Sequence, residues 1–252
     1  IYMTSLRRKS VIVTGGASGM GAASARHFVE AGANVTIVDI NEKLAREVAD
    51  DLGLKNPIIG DVGHSKFCNT VIESAIERYG SVDILVNCAG SILRANSEDT
   101  TDAEWVRIMS TNVNGVFFMS RAVIGPMKKL GKGVIINFGS IWGSVGAPGV
   151  VAYCASKGAV HQITRAMALD HARDGIRINA VCPGEVNTPM LSSGRKHPPT
   201  QEDLQKLADE TIPMARLAEP EEVAKVVIFL ASDDSSYMTG SMVTVDAGFT
   251  AR

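Results

Sequence analysis

The chain has 252 residues, 45% of them hydrophobic and 21% charged, with a formal net charge of −2. That length holds one large α/β domain or two small ones, and the near-neutral balance lacks the basic excess that nucleic-acid binding needs. No apolar run reaches the ~18 residues of a membrane span, and the first nine residues have no apolar signal-peptide centre.

Ile1-Tyr2 ahead of Met3 points to Met3 as the natural start. Ser10-Val11-Ile12-Val13-Thr14 is a β-branched run closed by glycines and reads as a buried strand. A helix pattern follows over 19–31, with Gly32 placed to end it. Val35-Thr36-Ile37-Val38-Asp39 reads as the second strand and 41–52 as the second helix, with Asn41 at its N-cap. Pro57-Ile58-Ile59-Gly60-Asp61 is a third strand, and a helix over 64–79 stops at Gly80. A fourth strand, 82–87, leads to a long helical region over 102–130; a fifth, 134–138, leads to a helix over 151–174. The sixth strand is 177–182. A polar, Pro-rich stretch then precedes a helix over 221–231 and a seventh strand over 242–246.

Alternating strands and helices, with early strands apolar on both faces, predict an α/β fold. The expectation is a single doubly wound, Rossmann-type domain over 1–252, with a seven-stranded parallel sheet and helices on both faces. Its ligand belongs beyond the carboxyl ends of the strands, where the strand order reverses. Cys68, Cys88, Cys154 and Cys182 are scattered, with no metal-ligand spacing. They read as reduced thiols of a cytoplasmic protein without a metal or disulfide framework.

Thr14-Gly15-Gly16-Ala17-Ser18-Gly19-Met20-Gly21 sits at the first strand-to-helix turn, the context a dinucleotide-binding turn requires. Gly15, Ser18, Gly19 and Met20 are its candidate contacts, with the helix N-terminus facing the phosphates. Asp39 ends the second strand, where a carboxylate accepts ribose hydroxyls and repels a 2′-phosphate. NAD is therefore expected over NADP. Asp39 also stands where it can cap the second helix. Asp61 and Val62 are placed to flank an adenine. Asn87, Ala89 and Gly90, in Asn87-Cys88-Ala89-Gly90, are placed for cofactor backbone contacts. Tyr153 and Lys157 lie at i and i+4 and share a face if the segment is helical. An ammonium there is expected to lower the phenol's pKa from its ordinary value near ~10 and make it a usable acid–base group.

These pieces together resemble the short-chain dehydrogenase/reductase family across nearly the whole chain: Thr14-Gly15-x-x-x-Gly19-x-Gly21, Asp61, Asn87-Cys88-Ala89-Gly90, Asn112, Ser140, Tyr153-x-x-x-Lys157 and Pro183-Gly184. Cys88 departs from the pattern, which usually has a second Asn there. The resemblance implies that Tyr153 is the general acid/base and Ser140 the hydroxyl on the substrate oxygen. It implies that Lys157 tunes the phenol and donates to the nicotinamide ribose, and that Asn112 holds a water linking Lys157 to solvent. Pro183, Gly184, Val186 and Thr188 are implied at the nicotinamide end. It also implies pairing of the apolar helical surfaces at 102–130 and 151–174 in a homotetramer.

Substrate choice is expected from Arg94, Trp142, Glu185, Met190 and Arg195, with a lid over about 185–215. The expected substrate is a small alcohol or ketone, with Arg94 and Arg195-Lys196-His197 as conceivable receptors for an anionic group. Alternatives are an oxoacyl-carrier-protein reductase, disfavoured by Asp39, and an idle NAD-binding regulator, disfavoured by the intact Ser140, Tyr153 and Lys157.

Overall fold

The computed structural model describes residues 6–251, so the reading of Met3 as the natural start lies outside the described residues. Seven parallel strands form one sheet: β1 (Ser10–Thr14), β2 (Asn34–Asp39), β3 (Ile58–Ile59), β4 (Ile84–Asn87), β5 (Gly133–Phe138), β6 (Ile176–Pro183) and β7 (Met242–Val245). Their order is β3-β2-β1-β4-β5-β6-β7. The chain runs outward from β1 to β3, then crosses back to β4 and runs outward the other way. The order therefore reverses between β1 and β4, and the carboxyl ends of these two strands open the ligand crevice.

The helices are α1 (Gly19–Glu30), α2 (Glu42–Asp51), α3 (Ser65–Tyr79), α4 (Asp102–Met109), α5 (Gly115–Leu130), α6 (Val151–His171), α7 (Gln201–Thr211) and α8 (Pro220–Ala231). Alternate β1 side chains divide the core. Val11 and Val13 pack with Ala25, Phe28, Val223 and Val227 of α1 and α8. Ile12 packs with Val71, Met119, Val123 and Met167 of α3, α5 and α6. Period-two alternation between two apolar layers is why Val11, Ile12 and Val13 form an unbroken apolar run in β1.

Several boundaries differ from the sequence reading. β3 keeps only Ile58–Ile59, because it is an edge strand paired with β2 alone. The region 102–130 is not one uniform helix: a widened π turn at Ser110–Asn114 separates α4 from α5. Such bulges often mark functional positions, and this one carries Asn112. The sixth helix ends at His171 and tightens into a 3₁₀ turn at Ala172–Asp174. α7 was not anticipated. Its signals are a Thr200/Asp203 capping box and a stripe of Leu204, Leu207, Ala208 and Thr211 at helical spacing. Asn41 caps α2 as expected, its side chain accepting from Leu44 N at 3.1 Å. All four cysteines are free thiols. No helix among the described residues is long and apolar enough to cross a membrane.

Candidate active site

The turn after β1 is held together by its own backbone. Gly15 has φ +65°, and a Cβ there would stand 2.7 Å from the Ala89 backbone. Gly21 faces the Gly15 carbonyl so closely that any side chain would collide with it. Thr14 Oγ1 accepts from Cys88 N and Ala89 N, both at 3.2 Å, and so joins this turn to the one after β4. Ser18 is the N-cap residue of α1, but its hydroxyl makes no cap bond and no acidic residue occupies the first turn. The first residues of α1, Gly19 and Met20, line a cavity with Ser18, where the helix's partial positive charge favours an anion.

A cavity of about 470 Å³ runs along this turn. Gly15, Ser18, Gly19 and Met20 line it, with Asp39, Asp61 and Val62 at one end and Ala89, Gly90 and Thr188 along the rest. Asp39 accepts from Ala17 N at 3.0 Å and Asn41 N at 2.9 Å, so it braces the glycine turn as well as bordering the cavity. It does not cap α2; Asn41 does. Arg107 and Thr111 of α4 and the π turn also border this cavity. Sequence spacing offers no sign of them, because only the packing of α4 brings them across from Asp39. The glycine turn, the helix N-terminus and the carboxylates in its lining fit a dinucleotide.

Asn87 is not among the lining residues. Its amide donates to Ser120 Oγ at 3.0 Å and Asn137 Oδ1 at 2.9 Å, inside a buried network that Asn137 continues to Thr164. The parallel register sets Asn87 beside Asn137, so the side chain ties strands together beneath the crevice.

A second cavity, about 400 Å³, shares Met20, Cys88, Gly90, Thr188 and Met190 with the first. Ser140, Tyr153 and Lys157 line it, together with Arg94, Trp142, Pro183, Gly184, Glu185 and Val186. Ser140 follows β5; its Oγ accepts from Trp142 N at 3.2 Å and the hydroxyl hydrogen-bonds the Tyr153 phenol. Tyr153 and Lys157 lie in the first two turns of α6, 8% and 5% exposed. Lys157 Nζ donates to the Phe138 carbonyl at 2.7 Å and lies 5.6 Å from the Tyr153 ring centroid.

Here the protonation expectation is corrected. Burial pushes the Tyr153 phenol up to about 12; the Ser140 hydrogen bond opposes this and the Glu185 charge adds to it. Burial also lowers Lys157 to about 8. A desolvated ammonium tied to a carbonyl does not overcome the cost of burying a phenolate.

Asn112 is fully buried on the π turn. Its Oδ1 accepts from Ser91 N at 2.8 Å, and its amide donates to Ser91 O and Ser156 Oγ, both at 2.9 Å. Gly90 lies at the same junction: a Cβ there would stand 3.4 Å from Asn112 Oδ1 and 3.7 Å from Lys157 Nζ, in ordinary contact with both. His161 supports the serine from behind: Ser140 N donates to its Nε2 at 3.4 Å, and burial lowers its pKa to about 4, keeping it neutral.

The basic residues do not assemble into an anion receptor. Arg94 is committed to lid carbonyls, donating to Ser193 O at 3.0 Å, Leu191 O at 3.4 Å and Met190 O at 3.5 Å. Arg195 donates to Leu191 O at 2.9 Å; it and its neighbours Lys196 and His197 are exposed and do not line the cavity. The walls instead include residues that sequence order does not bring together. Leu207 and Thr211 come from α7, and Phe249 meets Trp142 edge-on with ring centroids 5.2 Å apart.

Residues 15–250 match the family model described as enoyl-(acyl carrier protein) reductase. The chain is similar to a cyclopentanol dehydrogenase of Comamonas sp., at 40% identity over 97% of this chain and 98% of the relative. It is similar to a meso-2,3-butanediol dehydrogenase of Serratia marcescens, at 39% identity over 96% and 95% of the two chains. A crystal structure of a short-chain type dehydrogenase/reductase from Mycobacterium marinum superposes with a TM-score of 0.91 at 33% identity, covering 99% of this chain and 98% of that one.

Proposed function

The chain belongs to the short-chain dehydrogenase/reductase family, whose members use nicotinamide cofactors, and on that premise we propose that it interconverts a neutral secondary alcohol and its ketone with NAD. The observation that carries this reading is the meeting of Ser140, Tyr153 and Lys157 at a cavity that shares lining residues with the one along the glycine turn. The names of the cyclopentanol and butanediol dehydrogenase relatives favour the same substrate class.

The turn residues Gly15, Ser18, Gly19 and Met20 would hold the pyrophosphate, and Asp39 the adenosine ribose. Asp61 and Val62 would flank the adenine, and Ala89 and Gly90 would lie along the middle of the cofactor. Pro183, Gly184, Val186 and Thr188 would hold the nicotinamide end. When bound, the oxidised cofactor supplies the hydride acceptor and a positive charge beside the phenol. Tyr153 takes the proton of the alcohol, Ser140 orients the oxygen, and Lys157 holds the ribose and favours the phenolate. Asn112 acts as a positioning residue for the Ser91 backbone and α6. Residues 185–215 form the lid, with α7 as its rigid part.

Spectrophotometry tests the reading. Purified protein with NAD and neutral secondary alcohols produces NADH, and anionic analogues of the same alcohols are at least ~10-fold less efficient. That expectation rests on a largely apolar cavity in which the one guanidinium among the described lining residues, that of Arg94, is already engaged. NAD binding without NADH formation from any alcohol would favour an idle binding module, and equal use of anions would restore Arg94 as a receptor.

We also place the protein in the cytoplasm, as a homotetramer. Trp105, Val106 and Phe117 on α4–α5 and Val151 and Leu169 on α6 expose 38–82% of their surface in the single chain, apolar side chains that subunit pairing would cover. Light scattering is expected to give about four times 26.7 kDa; a concentration-independent monomer would refute it.

A further inference from the structure

Glu185 is the one carboxylate among the described residues that line the substrate cavity. It follows Pro183-Gly184 at the end of β6 and lies close enough to Tyr153 for its charge to disfavour the phenolate. It is substantially desolvated, and burial raises its own pKa, with Arg94 and Arg195 opposing the shift by charge alone. Neither arginine forms an ion pair with it; both donate to lid carbonyls. On its other side Glu185 borders a smaller cavity of about 160 Å³. The cation there, Arg216, is spent on Glu222 in two bonds of 2.7 and 2.8 Å.

Thr211, also in the wall, donates its hydroxyl to Leu207 O at 2.7 Å. The rest of the wall is largely apolar: Ile92, Trp142, Val150, Leu191, Leu207 and Phe249. A half-buried carboxylate with no side-chain donor among the described residues is costly, and a ligand that brings one from inside the cavity recovers part of that cost.

We infer that Glu185 accepts a hydrogen bond from a second hydroxyl of the substrate, so that this chain selects diols and hydroxyketones over simple alcohols. The inference rests on the alcohol–ketone reading of the Tyr153 site. The reacting carbon loses its hydride to oxidised nicotinamide, and its hydroxyl loses a proton to Tyr153. The second hydroxyl, held by Glu185, is not consumed. A diol therefore leaves as a hydroxyketone, with NADH and one released proton. A carboxylate at this place also repels anionic substrates. A site that hydrogen-bonds a substrate hydroxyl rejects the analogue lacking it far more strongly than an apolar pocket distinguishes sizes.

The test compares 1,2-cyclohexanediol with cyclohexanol, which share a ring and differ by one hydroxyl. In the wild type the diol is expected to have the higher kcat/KM by ~10²-fold, the scale of a lost bond to a charged partner. Glu185→Leu collapses the ratio to within a few-fold, and Glu185→Gln, which keeps the shape and a neutral acceptor, leaves an intermediate ratio. As a readout independent of turnover, the diol raises the Tm of NAD-loaded wild type more than cyclohexanol does, and Glu185→Leu loses that difference. Equal use of both alcohols by the wild type, or an unchanged ratio in both variants, overturns the role of Glu185 while leaving the alcohol dehydrogenase reading intact. Absence of NADH with either alcohol sinks that reading, and this inference with it.

Discussion

Replacing Tyr153 by Phe lowers turnover ~10²-fold or more while leaving NAD affinity within a few-fold of wild type. The substitution removes one oxygen and keeps the ring that α6 buries beside Ser140, so packing is preserved and the proton acceptor is lost. General acid–base groups typically contribute 10²–10⁴-fold. The wild-type pH profile follows from the same group. With the phenol driven upward by burial, alcohol oxidation, which needs the phenolate, rises with pH, and ketone reduction, which needs the phenol, falls. Cofactor titration followed by fluorescence separates binding from turnover. Unchanged turnover in the Phe variant would remove Tyr153 from the mechanism, and loss of NAD binding would make its role structural.

The second large effect is expected at Asp39. In Asp39→Asn the amide oxygen still accepts one of the two backbone N–H groups now bonded to the carboxylate, those of Ala17 and Asn41, so the glycine turn keeps a brace. What is lost is the negative charge at the ribose end of the cavity. Bonds from ribose hydroxyls to a charged acceptor are worth about 1.5–3 kcal/mol each, and repulsion of a 2′-phosphate disappears at the same time. The ratio of kcat/KM for NAD to that for NADP is expected to fall ~10²-fold, measured with one alcohol and both cofactors. Arg107, which borders the same cavity, is free to gain from a phosphate once the carboxylate charge is gone. A ratio unmoved by the substitution would mean that Asp39 serves only the turn.

Much of the fold could be read from the chain because its signals are local. β1 is apolar at its three central positions, Val11, Ile12 and Val13, because helices cover both of its faces, and Gly15 and Gly21 mark a turn that no side chain could enter. The four-residue spacing of Tyr153 and Lys157 put both on the cavity side of α6. α7 was missed although its capping box was present, because a Pro-rich, polar run on either side of a short amphipathic stripe reads as loop until a cavity gives the stripe something to cover.

The composition of the pocket was less legible for a different reason. Asn87 stands in the right motif, but its side chain turns inward because the register between β4 and β5 offers it Asn137. Arg94 has the right charge, but lid carbonyls 96 to 99 residues further along engage it. Phe249 and Leu207 reach Trp142 and its neighbours only through the path of the whole chain.

Residue order alone therefore determined the parallel α/β sheet, the glycine turn with its acidic partner, and the Tyr153/Lys157 pair, since each depends on periodicity or on spacings within one element or one turn. The tertiary structure decided the desolvation of Tyr153, the engagement of Arg94 and Arg195 by lid carbonyls and the place of Glu185 in the cavity wall. Those are set by desolvation and by partners distant in sequence, and both come into being only when the chain has closed around them.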